Sequence, residues 1–178
     1  HKKKKSKLSS QILYGEKFTI LKEYKDWYKI KTSYDKYVGF IRKKKFEKFA
    51  HKPTHKVSSL KANIFFKPIK NSKIKTKLSF ASLLQVKTSK KAFFKFDNYW
   101  IQKSDVVPLD YKEKIFKRIS IFKNVKYKWG GKRFDGIDCS GLVQLFYKFN
   151  NLYCPRDTGP QFRYFKKFKS IKKDAIIF

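Results

Sequence analysis

Methionine is absent from the 178 residues, and Arg (5), Cys (2), Gly (7) and acidic residues (13) are all scarce. Two cysteines cannot build a disulfide scaffold in a chain of this length. No apolar run approaches the roughly 18 residues of a bilayer-crossing helix, which excludes a helical membrane span. No His, Cys, Asp or Glu grouping has the spacing of a zinc site, and no phosphate-binding loop is present, so no cofactor is expected. Both ends read as cut: residue one is His, and Asp174-Ala-Ile-Ile-Phe178 reads as a strand stopping midway. Lys2 to Lys5 suit the basic start of an export signal, but Leu8-Ser-Ser-Gln11 supplies no apolar segment behind them.

Lysine is what the chain has in excess, 41 of 178 residues, and the net charge is +33. A basic chain with interleaved aromatics suggests nucleic-acid binding. Lysine, however, is spread evenly beside abundant Phe, Ile, Tyr and Asn, all residues of A/T-rich codons. Arg, the residue suited to bidentate phosphate and base contacts, is the scarce one. Genome composition is the simpler cause, and no specific nucleic-acid partner is expected. The chain is nevertheless 41% hydrophobic and 19% aromatic, enough to build a core and to exclude wholesale disorder.

Three blocks follow a basic tail at 1–7. The first, 8–50, has short strand-like runs at Ile12–Tyr14, Phe18–Leu21, Trp27–Ile30 and Tyr37–Ile41, with turn-type groups between them. A polar linker at 51–56 leads to the second block, 57–109. It repeats the layout with Asn63–Phe66, Leu83–Val86, Ala92–Phe94 and Tyr99–Ile101. Such runs predict two small all-β barrels. In the third block, 110–178, Ile115, Ile119 and Phe122 have helical spacing, predicting a helix within Asp110 to Lys123. Leu142–Tyr147 predicts a second helix, and Asp157-Thr158 with Pro160 reads as the cap and first turn of a third.

The chemistry lies between those helices. A Gly-rich approach, Gly130-Gly131 and then Asp135-Gly-Ile-Asp138, delivers Cys139 to the start of an apolar helix. A helix N-terminus favours the thiolate, the nucleophilic form of cysteine, and its free N–H groups help an oxyanion. The competing reading is a small buried hydrophobe, the usual fate of a free cysteine.

Tyr127-x-Trp-Gly-Gly131, Asp138-Cys-Ser-Gly-Leu-Val-Gln144 and Pro155-Arg-Asp-Thr158 with Gln161 resemble the NlpC family of cell-wall cysteine peptidases. The resemblance covers 110–178 and implies the N-terminal part of an α+β papain-like domain. Gln11-x-Leu-Tyr-Gly-Glu16 and Tyr37-Val-Gly39 make the upstream blocks similar to bacterial SH3-like modules. Together they resemble the γ-D-glutamyl-L-diamino-acid endopeptidases.

The resemblance implies Cys139 as nucleophile, with hydrolysis of peptidoglycan-derived peptides through an acyl-enzyme. It puts Asp138 and Ser140 beside the ammonium group of the substrate's N-terminal L-Ala, and Tyr127 beside the thiol. Glu16 and Tyr37 match positions at which the first module closes the cleft, so that only a free N-terminus fits. Trp129, Gly130, Gly131, Arg156 and Asp157 read as scaffold and Cys154 as a packing residue.

A thiol peptidase also needs a base. The resemblance places it after the strand that Ala175–Phe178 would begin, so the chain as written is expected to lack it and to be inactive. His1, His51 and His55 read as solvated residues of the tail and linker. The competing functions are a non-catalytic wall-binding protein and a basic nucleic-acid-binding module. As to compartment, nothing shows export, and cytoplasmic murein-peptide recycling is favoured over the periplasm or secretion.

Overall fold

A computed structural model describes residues 6–44, 46, 52–170 and 175–178. The Lys2–Lys5 run, His1, His51 and Asp174 lie outside the described residues. The fold is mostly β with two α-helices among the described residues.

In the first block, β1 (Phe18–Glu23), β2 (Trp27–Thr32) and β3 (Val38–Arg42) form an antiparallel sheet in chain order. The expected strand at Ile12–Tyr14 does not form. The residues just before it lie against the third block, where Lys132 N donates to Gln11 Oε1 (2.7 Å) and Arg156 Nε to Ser10 Oγ (3.0 Å), while Tyr14 O accepts from Leu83 N (2.9 Å) of the second block. A turn closed by Glu16 N to Leu13 O (3.1 Å) then swings the chain into β1.

The second block has β4 (His55–Val57), β5 (Lys61–Phe65), β6 (Ile74–Ser79), β7 (Leu83–Leu84), β8 (Thr88–Lys90), β9 (Phe93–Phe96), β10 (Tyr99–Gln102) and β11 (Val106–Pro108). They make a five-stranded sheet, β6-β5-β10-β9-β8, and a three-stranded one, β11-β4-β7. Val57, Ala62, Ile64, Leu78, Leu84, Phe96, Ile101 and Val106 meet between them as a closed apolar cluster.

His55 and Lys56, expected in a solvated linker, are strand residues of β4. The His55 ring lies 4.9 Å from that of Phe94. Lys56 is fully buried, its ammonium group donating to the carbonyls of Tyr111 (2.6 Å) and Phe149. A buried ammonium group needs such acceptors, and here they tie the second block to the third.

The third block departs from expectation at its start. No α-helix forms over 110–123; turns with i to i+3 hydrogen bonds lead to a 3₁₀ turn at Ile119–Phe122. Phe116 has φ +68°, a left-handed conformation that interrupts helical propagation. The apolar residues still reach their target: Phe122, Ile115, Phe116 and Ile121 pack around Phe146 and Phe149.

The other two helices form as α1 (Cys139–Phe149) and α2 (Thr158–Tyr164), with Asp138 and Asp157 as their N-caps. Asp157 caps by backbone position, since its side chain makes no cap hydrogen bond. Ala175–Phe178 is not a strand, and the Phe178 ring packs against those of Phe162 and Phe165.

Candidate active site

The approach to Cys139 is a short hairpin, β12 (Lys132–Arg133) with β13 (Gly136–Ile137), whose register pairs Lys132 with Ile137. It delivers Asp138 directly to the start of α1. The Asp138 carboxylate accepts from Gly141 N (2.7 Å) inside the helix and from Gly130 N (2.8 Å) in the preceding turn. Arg156 grips the same carboxylate with both terminal nitrogens, at 3.0 and 2.8 Å, and also donates to Ser140 Oγ (3.0 Å). This bidentate, charge-assisted pair fixes direction as well as distance.

Glycine is required twice here. Gly130 has φ +71°, and a Cβ would stand 2.6 Å from Leu8 O; one on Gly141 would stand 2.6 Å from Gly131 O.

Cys139 is the first residue of α1 and its thiol is exposed, with Thr158 Oγ1 at 3.9 Å. The first turn of a helix leaves N–H groups without intrahelical acceptors. Gly141 N is taken by the Asp138 side chain and Leu142 N by the Asp138 carbonyl (3.0 Å). The N–H groups of Cys139 and Ser140 remain at the thiol's end of the helix. Cys154 is the opposite case: fully buried, with Gln161 Nε2 donating to its sulfur at 3.4 Å. Burial pushes its thiol up to about 12. The packing role expected for Cys154 agrees with this position.

Polar groups fill the space behind the thiol. Ser140, Gln144 and Lys148 recur every fourth residue of α1, and all three are buried. Ser140 meets Arg156, while Gln144 Nε2 donates to Asp35 Oδ2 (2.9 Å) and Cys154 O (3.1 Å). Lys148 pairs with Glu16, which also meets Lys132 Nζ at 3.3 Å. Burial alone would raise the Glu16 pKa; the ammonium groups of Lys148 and Lys132 and the Leu13 N–H override it and hold Glu16 at about 2. Burial pulls the Lys148 pKa down; the Glu16 carboxylate opposes this, and the neighbouring Lys132 charge adds to it.

Residues 124–177 match the NlpC/P60 family. Residues 3–46 match the bacterial dipeptidyl-peptidase SH3 domain. The γ-D-glutamyl-L-lysine dipeptidyl-peptidase of Bacillus subtilis (strain 168) is 28% identical over 86% of this chain and 57% of its own length. That of Bacillus cereus (strain ATCC 10987 / NRS 248) is 24% identical over 89% and 55%. The chain thus spans little more than half the length of these relatives. A crystal structure of an NlpC/P60 family protein from Bacillus cereus ATCC 10987 superposes with a TM-score of 0.74. It covers 95% of this chain and 63% of that one at 22% identity, a likeness of fold.

The residues that resemble the NlpC motifs lie together around the start of α1, though not all as expected. Asp138 and Ser140 flank Cys139, but both are buried and already bonded to Arg156. An incoming ammonium group would have to displace a guanidinium, so their geometry is that of a clamp. Arg156 is scaffold, as expected, with Asp138 as its partner.

Glu16 reaches the third block but spends its carboxylate on two lysines. Tyr37 is half-buried, and its backbone closes the β2–β3 turn with Thr32 and Asp35. Tyr127 and Trp129 are 66% and 68% exposed on the strip leading to Gly130.

Sequence reasoning missed Lys132, Lys148, Asp35 and Thr158. The first two were indistinguishable among 41 lysines. Only the i, i+4 step from Gln144 to Lys148 offered a signal.

Proposed function

We propose that the chain carries the nucleophile-bearing part of a cell-wall cysteine peptidase, built as two SH3-like modules (8–50 and 57–109, the second extended by the β4 residues His55 and Lys56) before a papain-like block at 110–178. The substrate is a peptidoglycan-derived peptide with a free N-terminal L-Ala, cut at its γ-D-glutamyl-L-diamino-acid bond. The names of the two Bacillus relatives support that bond. The observation that carries the reading is the exposed Cys139 thiol at the first residue of α1, held by the Asp138–Arg156 clamp.

In the proposed reaction the Cys139 thiolate attacks the γ-carbonyl carbon. The oxyanion forms beside the N–H groups of Cys139 and Ser140. The C–N bond then breaks, and the amine of the diamino acid leaves with the proton that ionisation of the thiol released. Water adds to the thioester carbonyl and the C–S bond breaks. The products are the free γ-carboxyl group and the Cys139 thiol, which regains a proton from that water. Tyr127, exposed beside this helix start, is proposed as a wall of the acyl pocket, and Tyr37 as a contact of the first module. His55, the described histidine, contacts Thr54 and Phe94.

An activated acyl donor separates the thiol's role from that of the base. A thioester of L-Ala-γ-D-Glu should acylate the chain once, and peptide mapping should place the adduct on Cys139. An adduct on Cys154, or no adduct, would sink the assignment. Iodoacetamide should likewise modify Cys139 at least ~100-fold faster than Cys154, whose thiol is buried and poorly ionised. Comparable rates would mean that the thiol at α1 has no special access.

A further inference from the structure

No Asp or Glu occurs between Glu47 and Asp97, while lysines continue throughout that stretch. The β5–β6 hairpin projects from its middle, and its tip is ordered by Ile69 N to Lys67 O (2.8 Å), Ser72 N to Ile69 O (3.0 Å) and Ser72 Oγ to Lys67 O (3.1 Å). This tip carries Phe66, Ile69 and Ile74 at 43%, 57% and 43% exposure. Lys67, Lys70, Lys73, Lys75 and Lys77 surround them, all exposed. The Lys75 ammonium group lies 5.7 Å from the Phe66 ring centroid and 5.8 Å from that of Tyr99, so its stem covers the apolar base of the tip.

Part of this has an ordinary explanation. β6 is an edge strand of the five-stranded sheet, and edge lysines discourage pairing with another chain. That does not account for Ile69 and Ile74 standing in water beside a Phe66 ring that packs edge-on against Tyr99 at 5.7 Å and is still 43% exposed. The opposite edge, β8 (Thr88–Lys90), provides the contrast: it is equally exposed and lysine-flanked but presents no large apolar residue.

We propose that the β5–β6 tip docks on the surface of an anionic phospholipid bilayer, sinking Phe66, Ile69 and Ile74 to the acyl boundary while the surrounding lysines meet the headgroup phosphates. Charge complementarity selects an anionic partner, and the apolar tip selects a lipid one. A polyphosphate offers isoleucine nothing apolar, and a duplex admits an apolar side chain only by unstacking its bases, a cost that a bilayer surface does not impose. Polybasic attraction and apolar burial add in this kind of binding.

The test is sedimentation of the 178-residue chain with vesicles of phosphatidylcholine alone, or mixed equally with phosphatidylglycerol. Binding should require phosphatidylglycerol. The Ile69→Ser/Ile74→Ser variant, which alters two exposed residues, should bind roughly tenfold more weakly or worse. Changing Lys67, Lys70 and Lys73 to Gln should weaken binding on the order of a hundredfold. The same change at Lys87, Lys90 and Lys91 on the β8 edge removes equal charge and should cost less than about a tenth of that loss.

Wild-type affinity in the isoleucine variant, equal losses from the two lysine sets, or no preference for phosphatidylglycerol would each overturn the proposal. So would tighter binding to duplex DNA or polyphosphate that ignores Ile69 and Ile74.

Discussion

The first and second blocks are both small β structures, yet they are stabilised differently. The second encloses its own cluster, with Val57, Ala62, Ile64 and Ile101 at 1% exposure or less. In the described part of the first, only Leu13 and Ile30 are buried apolar residues, and Leu13 belongs to the third block's cluster. β1 is exposed along nearly its whole length. The first block is therefore anchored by contacts at its margins: Ser10 and Gln11 at one end, Glu16 before β1, and Tyr34 and Asp35 at the β2–β3 turn. A module of this size need not own a core if a neighbour offers a polar stripe to pair with. The buried stripe on α1 supplies two of these contacts, through Gln144 and Lys148, and Lys132, Leu152 and Arg156 around it supply the others.

The second block also supplies the third with Phe80. Its ring stacks on Phe149 at 4.6 Å and meets Phe122 and Phe146 edge-on or tilted. Phe80→Ala should give the largest loss of stability, about 3–5 kcal/mol, because it opens a cavity at the junction of two blocks. Urea unfolding with an unchanged m-value would measure it. A loss under ~1 kcal/mol would mean that the blocks fold independently of this contact.

Next in size is Glu16→Ala. It leaves Lys132 and Lys148 buried without their carboxylate, a change costing about 3 kcal/mol. The pH dependence follows from the direction of the shift. Glu16 falls from 4.5 to about 2 on folding, so its contribution is complete above the unfolded value and lost as acid passes from 4.5 to 2. Wild type should therefore lose stability over that window more steeply than Glu16→Gln. Parallel acid profiles would show that Glu16 carries no excess charge stabilisation.

These contacts also mark where the sequence was legible. Most of the strands could be read because alternation and turn residues are local signals, and α1 because Gly-rich turns and an apolar run flank Cys139. The helix expected over 110–123 failed because the apolar spacing is real but serves a series of tight turns, which the left-handed Phe116 permits. At the site, the position of Cys139 at the start of α1 could be read from its motif. The pairing of Glu16 with residues 116 and 132 positions away could not, since no local pattern encodes which lysine of many folds inward.

A smaller effect is expected at the β2–β3 turn. Asp35→Ala removes one of the two acceptors of Gln144 Nε2, leaving the Cys154 carbonyl, and Gln144 Oε1 is already buried without a partner in the described structure. The cost should be about 1–2 kcal/mol. A double-mutant cycle with Gln144→Ala should recover about 1 kcal/mol of it as coupling. Strict additivity would remove this turn from the docking contacts.

The smallest effect tests whether charge alone anchors the first block. Glu23 and Lys43 form an ion pair on its sheet, with side-chain exposures of 62% and 30%. Solvent screens such a pair, and ordering two long side chains offsets much of the attraction, so Glu23→Ala should cost no more than about 0.5 kcal/mol. The contrast with Glu16→Ala is the informative quantity, because both substitutions remove one carboxylate from a lysine-rich setting. If burial against α1 is what anchors the block, the two costs differ several-fold, and added salt shrinks only the Glu23 effect. Equal costs would mean that a chain of net charge +33 simply needs its few acids wherever they stand. The first block would then be held by overall charge balance instead of by the α1 stripe.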